Sequence, residues 1–133
     1  MSQSGPNGRA TVYVCLTCRP PTATPDGPCS GAMLAKATVA AAVNAAVPGV
    51  SVQRVKCLGN CSRGPSAAIK CEGAWSYIFG GLNPEQDGPA LIAGAQLLAG
   101  AADGFMPWRG RPDCLKRGLI ARLPPTDFLE EPT

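Results

Sequence analysis

Apolar and polar positions fall into short runs separated by Gly and Pro, and the period of the runs changes along the chain. Residues 11–15 (TVYVC) are β-branched and aromatic, the composition of a short buried strand. Residues 16–28 hold four prolines and a glycine and read as an ordered loop. Residues 29–47 are Ala-rich and helical, with Met33, Leu34, Ala37 and Ala41 on one face, and Pro48 and Gly49 stop the helix. Residues 50–57 (VSVQRVKC) alternate and predict a second strand, followed by a tight loop over 58–65 with Gly59, Asn60 and Gly64. Residues 67–71 and 75–79 predict a hairpin turned by Glu72 and Gly73. Pro84 opens a predicted second helix that runs to about residue 102, with Leu91, Ile92, Ala95, Leu97 and Leu98 as its apolar positions and Gly104 as its stop. Beyond it no period emerges until residues 118–123 (GLIARL), which suit a short strand; the last ten residues are Pro-rich and acidic and are expected to be disordered.

The predicted order of strand, helix, strand, strand, strand, helix gives an α/β fold, a mixed sheet with helices packed on it. Length suits one folded unit among 133 residues. We divide it into a flexible N-terminus over 1–9, a core domain over 10–104, and a basic, then Pro-rich, extension over 105–133.

Composition narrows the chemistry. Apolar residues make up 45% of the chain but aromatics only 5%, so small side chains fill the core. A net charge of +3 is too weak to imply nucleic-acid binding. No apolar run is long enough for a transmembrane helix, and residues 1–9 lack a signal-peptide core, so a cytoplasmic location with reduced thiols is expected. The chain has no histidine, which excludes His-ligated zinc, Rieske-type clusters and His acid–base catalysis. Acidic residues are scattered and form no catalytic pair, so no enzyme activity is expected.

Seven cysteines then need an explanation, and an odd number does not suit a complete set of disulfides. Cys15, Cys18 and Cys29 span the end of the first strand to the start of the first helix; Cys57 and Cys61 lie in the C-L-G-N-C loop after the second. A right-handed crossover puts both strand ends on one side of the sheet, where the sulfurs can converge. Four thiolates from two loops are what an iron–sulfur cluster requires. Gly59, Gly64 and Pro65 let the second loop bend and aim backbone N–H groups at a charged centre, Asn60 and Ser62 offer further donors, and Arg19 and Arg63 flank the two groups.

These motifs resemble a known family. V-C-x-x-x-R-P-P, Cys29 beyond it, C-L-G-N-C-x-x-G-P and G-x-W-x-Y, over residues 12 to about 81, are similar to the thioredoxin-like 2Fe–2S ferredoxins, a fold that also carries a cluster in the small flavoprotein-partner subunit of respiratory complex I. The wider pattern, with P-W-R-G-R-P and R-G-x-I-A-R-x-P-P in the tail, resembles a proteobacterial branch described as a metal-binding domain of unknown function, whose genes often lie near cobalamin-synthesis genes. The resemblance implies a thioredoxin-like fold, one 2Fe–2S cluster on Cys15, Cys57, Cys61 and a fourth cysteine, one-electron transfer between a reductase and an acceptor, and homodimers. Cys29 and Cys18 compete for the fourth position; Cys29 sits where the ferredoxins have their ligand and where a helix N-terminus favours a thiolate.

Plainer readings stand beside this one. The cysteines can be small buried thiols, or hold a structural zinc, or serve in a zinc, cobalt or sensory protein without electron transfer. Cys15 and Cys18 form a C-x-x-C, but a thioredoxin-type redox pair opens a helix and here a Pro-rich loop intervenes. Cys71 reads as core, and Cys114 as a thiol in the basic tail. Trp75, Tyr77 and Phe79 read as sheet packing, with Trp75 a candidate cover for the cluster or a dimer contact. Arg109, Arg111, Lys116, Arg117 and Arg122 gather near Trp108, either as a solvated segment or as a dock for an acidic redox partner or a phosphate-bearing ligand.

Overall fold

Alternation over the first strand buries Ala10, Val12 and Val14 and leaves Thr11 and Tyr13 half-buried, as a strand with one face on a core must. This is β1 (Ala10–Cys15) of a computed structural model that describes residues 9–17, 29–45, 49–59 and 63–130. α1 (Ser30–Ala45) follows and buries Gly31, Leu34, Ala35 and Thr38. Its buried stripe is rotated from the expected one: Met33, Ala37 and Ala41 are only half-buried, and the helix packs on β1, on the strand that follows it and on the second long helix. Thr38 is accommodated there by donating its hydroxyl to the Leu34 carbonyl at 2.7 Å. The expected stop at Pro48 lies outside the described residues; Gly49, at φ 85°, turns the chain into β2 (Val50–Val55).

β2 runs parallel to β1, Ala10 opposite Val50 and Cys15 opposite Val55. β3 (Ala67–Cys71) and β4 (Ser76–Phe79) form the expected antiparallel hairpin, and β3 pairs antiparallel with β1. α2 (Gly88–Ala99) starts later than the pattern predicts. The Asn83 side-chain carbonyl accepts the N–H groups of Glu85 and Gln86, and the Asp87 carboxylate accepts that of Asn83 at 2.6 Å. This closed turn uses up Pro84, so Pro89 sits in the first helical turn instead. The helix also ends sooner, at Gly100, whose N–H bonds the Gln96 carbonyl.

The segment after Gly104 is ordered on the same core. α3 (Cys114–Arg117) leads into β5 (Leu119–Leu123), the strand expected near the C-terminus, and β5 completes the sheet order β2-β1-β3-β4-β5. Met106 and Leu115 are buried with Val12, Ile69, Leu91 and Leu98 in one hydrophobic core. The Tyr77 hydroxyl accepts the Met106 N–H at 2.9 Å. In the tail expected to be disordered, Phe128 is held at the sheet, its ring edge-on to Trp75 at 5.6 Å, while the residues around it are exposed. The sheet, with α1 and α2 packed on each other and on β1 to β3, is the thioredoxin-like arrangement. Among the described residues no helix is long and apolar enough to cross a membrane.

The two long helices touch where Gly88 meets α1: a Cβ built there would stand 2.7 Å from the Ala37 carbonyl carbon. Gly88→Ala is therefore expected to destabilise the fold by about 1–3 kcal/mol in thermal unfolding, despite the better helix propensity of alanine. Gly100→Ala, whose nearest atom is the Gln96 carbonyl oxygen at 3.4 Å, is the comparison that should cost little.

Candidate metal centre

Parallel pairing carries β1 and β2 to the same end of the sheet, and both cysteine loops leave from that end. β1 and β2 stay joined past their last ladder pair, since the Leu16 N–H donates to the Val55 carbonyl at 2.7 Å, while the Cys15 N–H extends the β1–β3 pairing by donating to the Ser66 carbonyl at 3.1 Å. Beyond this the Lys56 carbonyl collects two donors from the first loop, the Thr17 hydroxyl at 2.6 Å and the Cys15 thiol at 3.6 Å. The Cys29 thiol, just ahead of α1, donates to the Leu16 carbonyl at 2.8 Å. Cys15 is fully buried, Cys29 half-buried and Cys57 exposed. Three predicted ligand residues from two loops and a helix start are thus tied into one small region through shared backbone groups.

The second loop is shaped around its sulfur. Gly59, at φ 78°, donates its N–H to Cys57 Sγ at 3.2 Å, the kind of backbone contact expected from the glycine spacing. Such a donor can hydrogen-bond a sulfur that is engaged as a metal ligand. Cys18, Cys61, Arg19, Asn60 and Ser62 lie outside the described residues. Among the described residues no three His, Cys, Asp or Glu side chains stand close enough to hold a metal ion. The donor chemistry nevertheless fits an iron–sulfur cluster: the described donors are thiols only, drawn from both loops at one sheet end, with an N–H aimed at one of them.

Other predicted residues fall elsewhere. Cys71 is buried in β3 opposite Ala10, at the far end of the sheet from Cys15. Trp75 precedes β4 at that same far end, so it does not cover the cysteine loops. It stacks on Phe105 at 5.3 Å, with the Arg122 guanidinium 4.7 Å from its ring. Arg122 accordingly leaves the basic group that the sequence assigns near Trp108. Arg111 is only 8% exposed and bonds the Met106 and Pro107 carbonyls; burial lowers its pKa from the ordinary value.

Cys114 opens α3 against the Asp87 side chain, and burial, then the Asp87 charge and hydrogen bond, push its thiol up to about 12. A thiol kept protonated beside a carboxylate is a poor nucleophile. Sequence reasoning missed Asp87 as its partner, and also Thr17, whose position inside the C-x-x-C was the only signal for its bond to Lys56.

The fold defines the class: a thioredoxin-like chain. The chain belongs to the family described as protein of unknown function (DUF1636), whose model matches residues 12–125. Among solved structures it is similar to the thioredoxin-like 2Fe–2S ferredoxin of Aquifex aeolicus, with 21% identity and a TM-score of 0.54 over 90% of this chain and 98% of that one. Two cysteine-to-serine variants of that ferredoxin match at 20% identity, with TM-scores of 0.52 and 0.51, over 84% of this chain and 98% of theirs. At such identities the likeness is one of fold. No curated protein matches the chain.

Because Cys114 is held protonated, iodoacetamide at pH 8 is expected to leave it unmodified in peptide mass mapping of the native protein. Its labelling rate should climb about tenfold per pH unit towards pH 12. Removing the carboxylate in Asp87→Asn lowers the thiol pKa and should speed labelling at pH 8.

Proposed function

We propose that this protein is a one-electron carrier that holds a single 2Fe–2S cluster on Cys15, Cys57, Cys61 and either Cys29 or Cys18, and that it is not itself an enzyme. One observation carries the reading: β1 and β2, paired in parallel, end together, so that Cys15 and the Cys57 loop share the Lys56 carbonyl region while Cys29 is held to Leu16. The similar solved structures, named as 2Fe–2S ferredoxins, support it.

When bound, the cluster supplies a centre that takes up and releases a single electron. The chain's own residues do the rest. Cys15 provides a buried, rigid sulfur at the end of a central strand, whereas Cys57 provides an exposed one on the side open to a partner. The Gly59 N–H bonds the Cys57 sulfur and stabilises added negative charge there, which raises the potential. Residues 10–104 carry this centre, and residues 105–133 extend the sheet and offer charge for docking; that division is functional, since both parts share one core. A reductase and an acceptor are the implied partners, a cytoplasmic setting suits reduced thiols, and corrin metabolism is the candidate pathway.

Protein isolated without oxygen should be red-brown, contain iron and sulfide in equal amounts, and bleach with dithionite. A colourless protein with one zinc per chain removes the carrier reading and leaves the zinc one. Cys15→Ser and Cys57→Ser should each abolish or severely weaken cluster retention. Comparing Cys29→Ser with Cys18→Ser by visible absorption and electron paramagnetic resonance identifies the fourth ligand: the variant that loses the native spectrum held it.

A further inference from the structure

We propose that a basic ridge running from Arg63 through Arg117 and Lys116 to Trp108 is the docking surface for an acidic face of a partner protein. The ridge is built, not incidental. Trp108 is 62% exposed, yet the Arg111 guanidinium lies 5.2 Å and the Lys116 ammonium 5.0 Å from its ring centre. Arg111 is in turn buried and bonded to two backbone carbonyls, so the tryptophan stands on a fixed base. A large aromatic held rigid at the surface, with cations beside it, has the character of an interface anchor, because little side-chain entropy remains to be lost on binding.

Lys116 and Arg117 form the last turn of α3, and Arg117 faces the same groove as Arg63. The Gly81 N–H bonds the Arg63 carbonyl at 2.5 Å, which fixes that side of the groove to the end of β4. Residues 104–123 hold five cations (Arg109, Arg111, Lys116, Arg117 and Arg122) and one acid, Asp113. Complementarity therefore asks for an acidic partner.

The occupant is a protein surface and not a small anion. The Asp87 carboxylate lines the same groove as Arg63 and Arg117 and repels an anion that would sit inside it, while Lys116 lies outside the groove, over Trp108. Cations over the Trp108 ring also occupy positions that a stacked base would need, which argues against single-stranded nucleic acid. Arg63 stands two residues after the C-L-G-N-C motif, so a partner seated on the ridge lies near the second cysteine loop in the chain. That the partner exchanges electrons rests on the carrier reading above; that it is acidic does not.

The test titrates the full chain with short poly-L-glutamate by calorimetry, with oligothymidylate of equal charge as the competitor class. Native protein should bind the peptide saturably. Lys116→Glu with Arg117→Glu should weaken binding about tenfold or more, as should Arg63→Glu, which leaves α3 untouched. Lys70→Glu, an exposed site on β3 away from the ridge, should bind as native does. In Trp75→Phe, where Trp108 is the remaining tryptophan, emission should shift on binding. Absence of peptide binding, an equal loss in Lys70→Glu, or tighter binding of the oligonucleotide overturns the proposal. Protein that is colourless yet binds the peptide sinks the carrier reading alone; red-brown protein that does not bind sinks the ridge alone.

Discussion

The parallel ladder between β1 and β2 is the constraint on which the candidate centre depends. An antiparallel pair would carry the two following loops to opposite ends of the sheet. Parallel pairing, closed by α1, sends both to the same end, and the register sets Cys15 opposite Val55. Two residues further on, the Lys56 carbonyl and the Thr17 hydroxyl hold the loops together after the ladder has stopped. The cysteine spacing has chemical meaning only because of this pairing.

A second lashing holds the sheet's other side. Tyr77 is buried in β4, and its hydroxyl needs a partner that the hairpin cannot provide. The Met106 N–H supplies it, and Arg111 lies over the same ring at 5.5 Å while bonding the Met106 and Pro107 carbonyls. These contacts draw the chain after α2 across the sheet, which lets Leu115 enter the core and β5 pair with β4. What reads in sequence as a basic tail is therefore part of the folded unit, and its cations separate into structural and exposed ones. Arg111 is bound up in packing, Arg122 covers Trp75 and Phe105, and Lys116 and Arg117 face outward.

The thiols show the same division by environment. Cys71 is a small core residue opposite Ala10, and Cys114 is kept neutral by burial and by Asp87. Cys57 instead lies in the open with a backbone N–H directed at its sulfur. Desolvation beside a carboxylate suppresses the thiolate at Cys114, so similar residues in one chain meet different environments.

Much of this was open to reading along the chain. Alternation, the Ala-rich helix, the hairpin and its turn, and the short strand near the C-terminus follow from local period and turn chemistry, which act over a few residues. That the loops after β1 and β2 leave from one end of the sheet also followed, because strand–helix–strand connections have a preferred hand. Other features were decided by contacts distant in sequence. The late start of α2 came from the Asn83–Asp87 turn, and the place of Phe128 at the sheet from its contact with Trp75. Trp75 lies at the end of the sheet away from Cys15 because β3 and β4 reverse direction. Local propensity determined which elements form and where the cysteines stand along them; only the packed sheet decided which residues meet, since burial and pairing partners are not written in any short stretch of sequence.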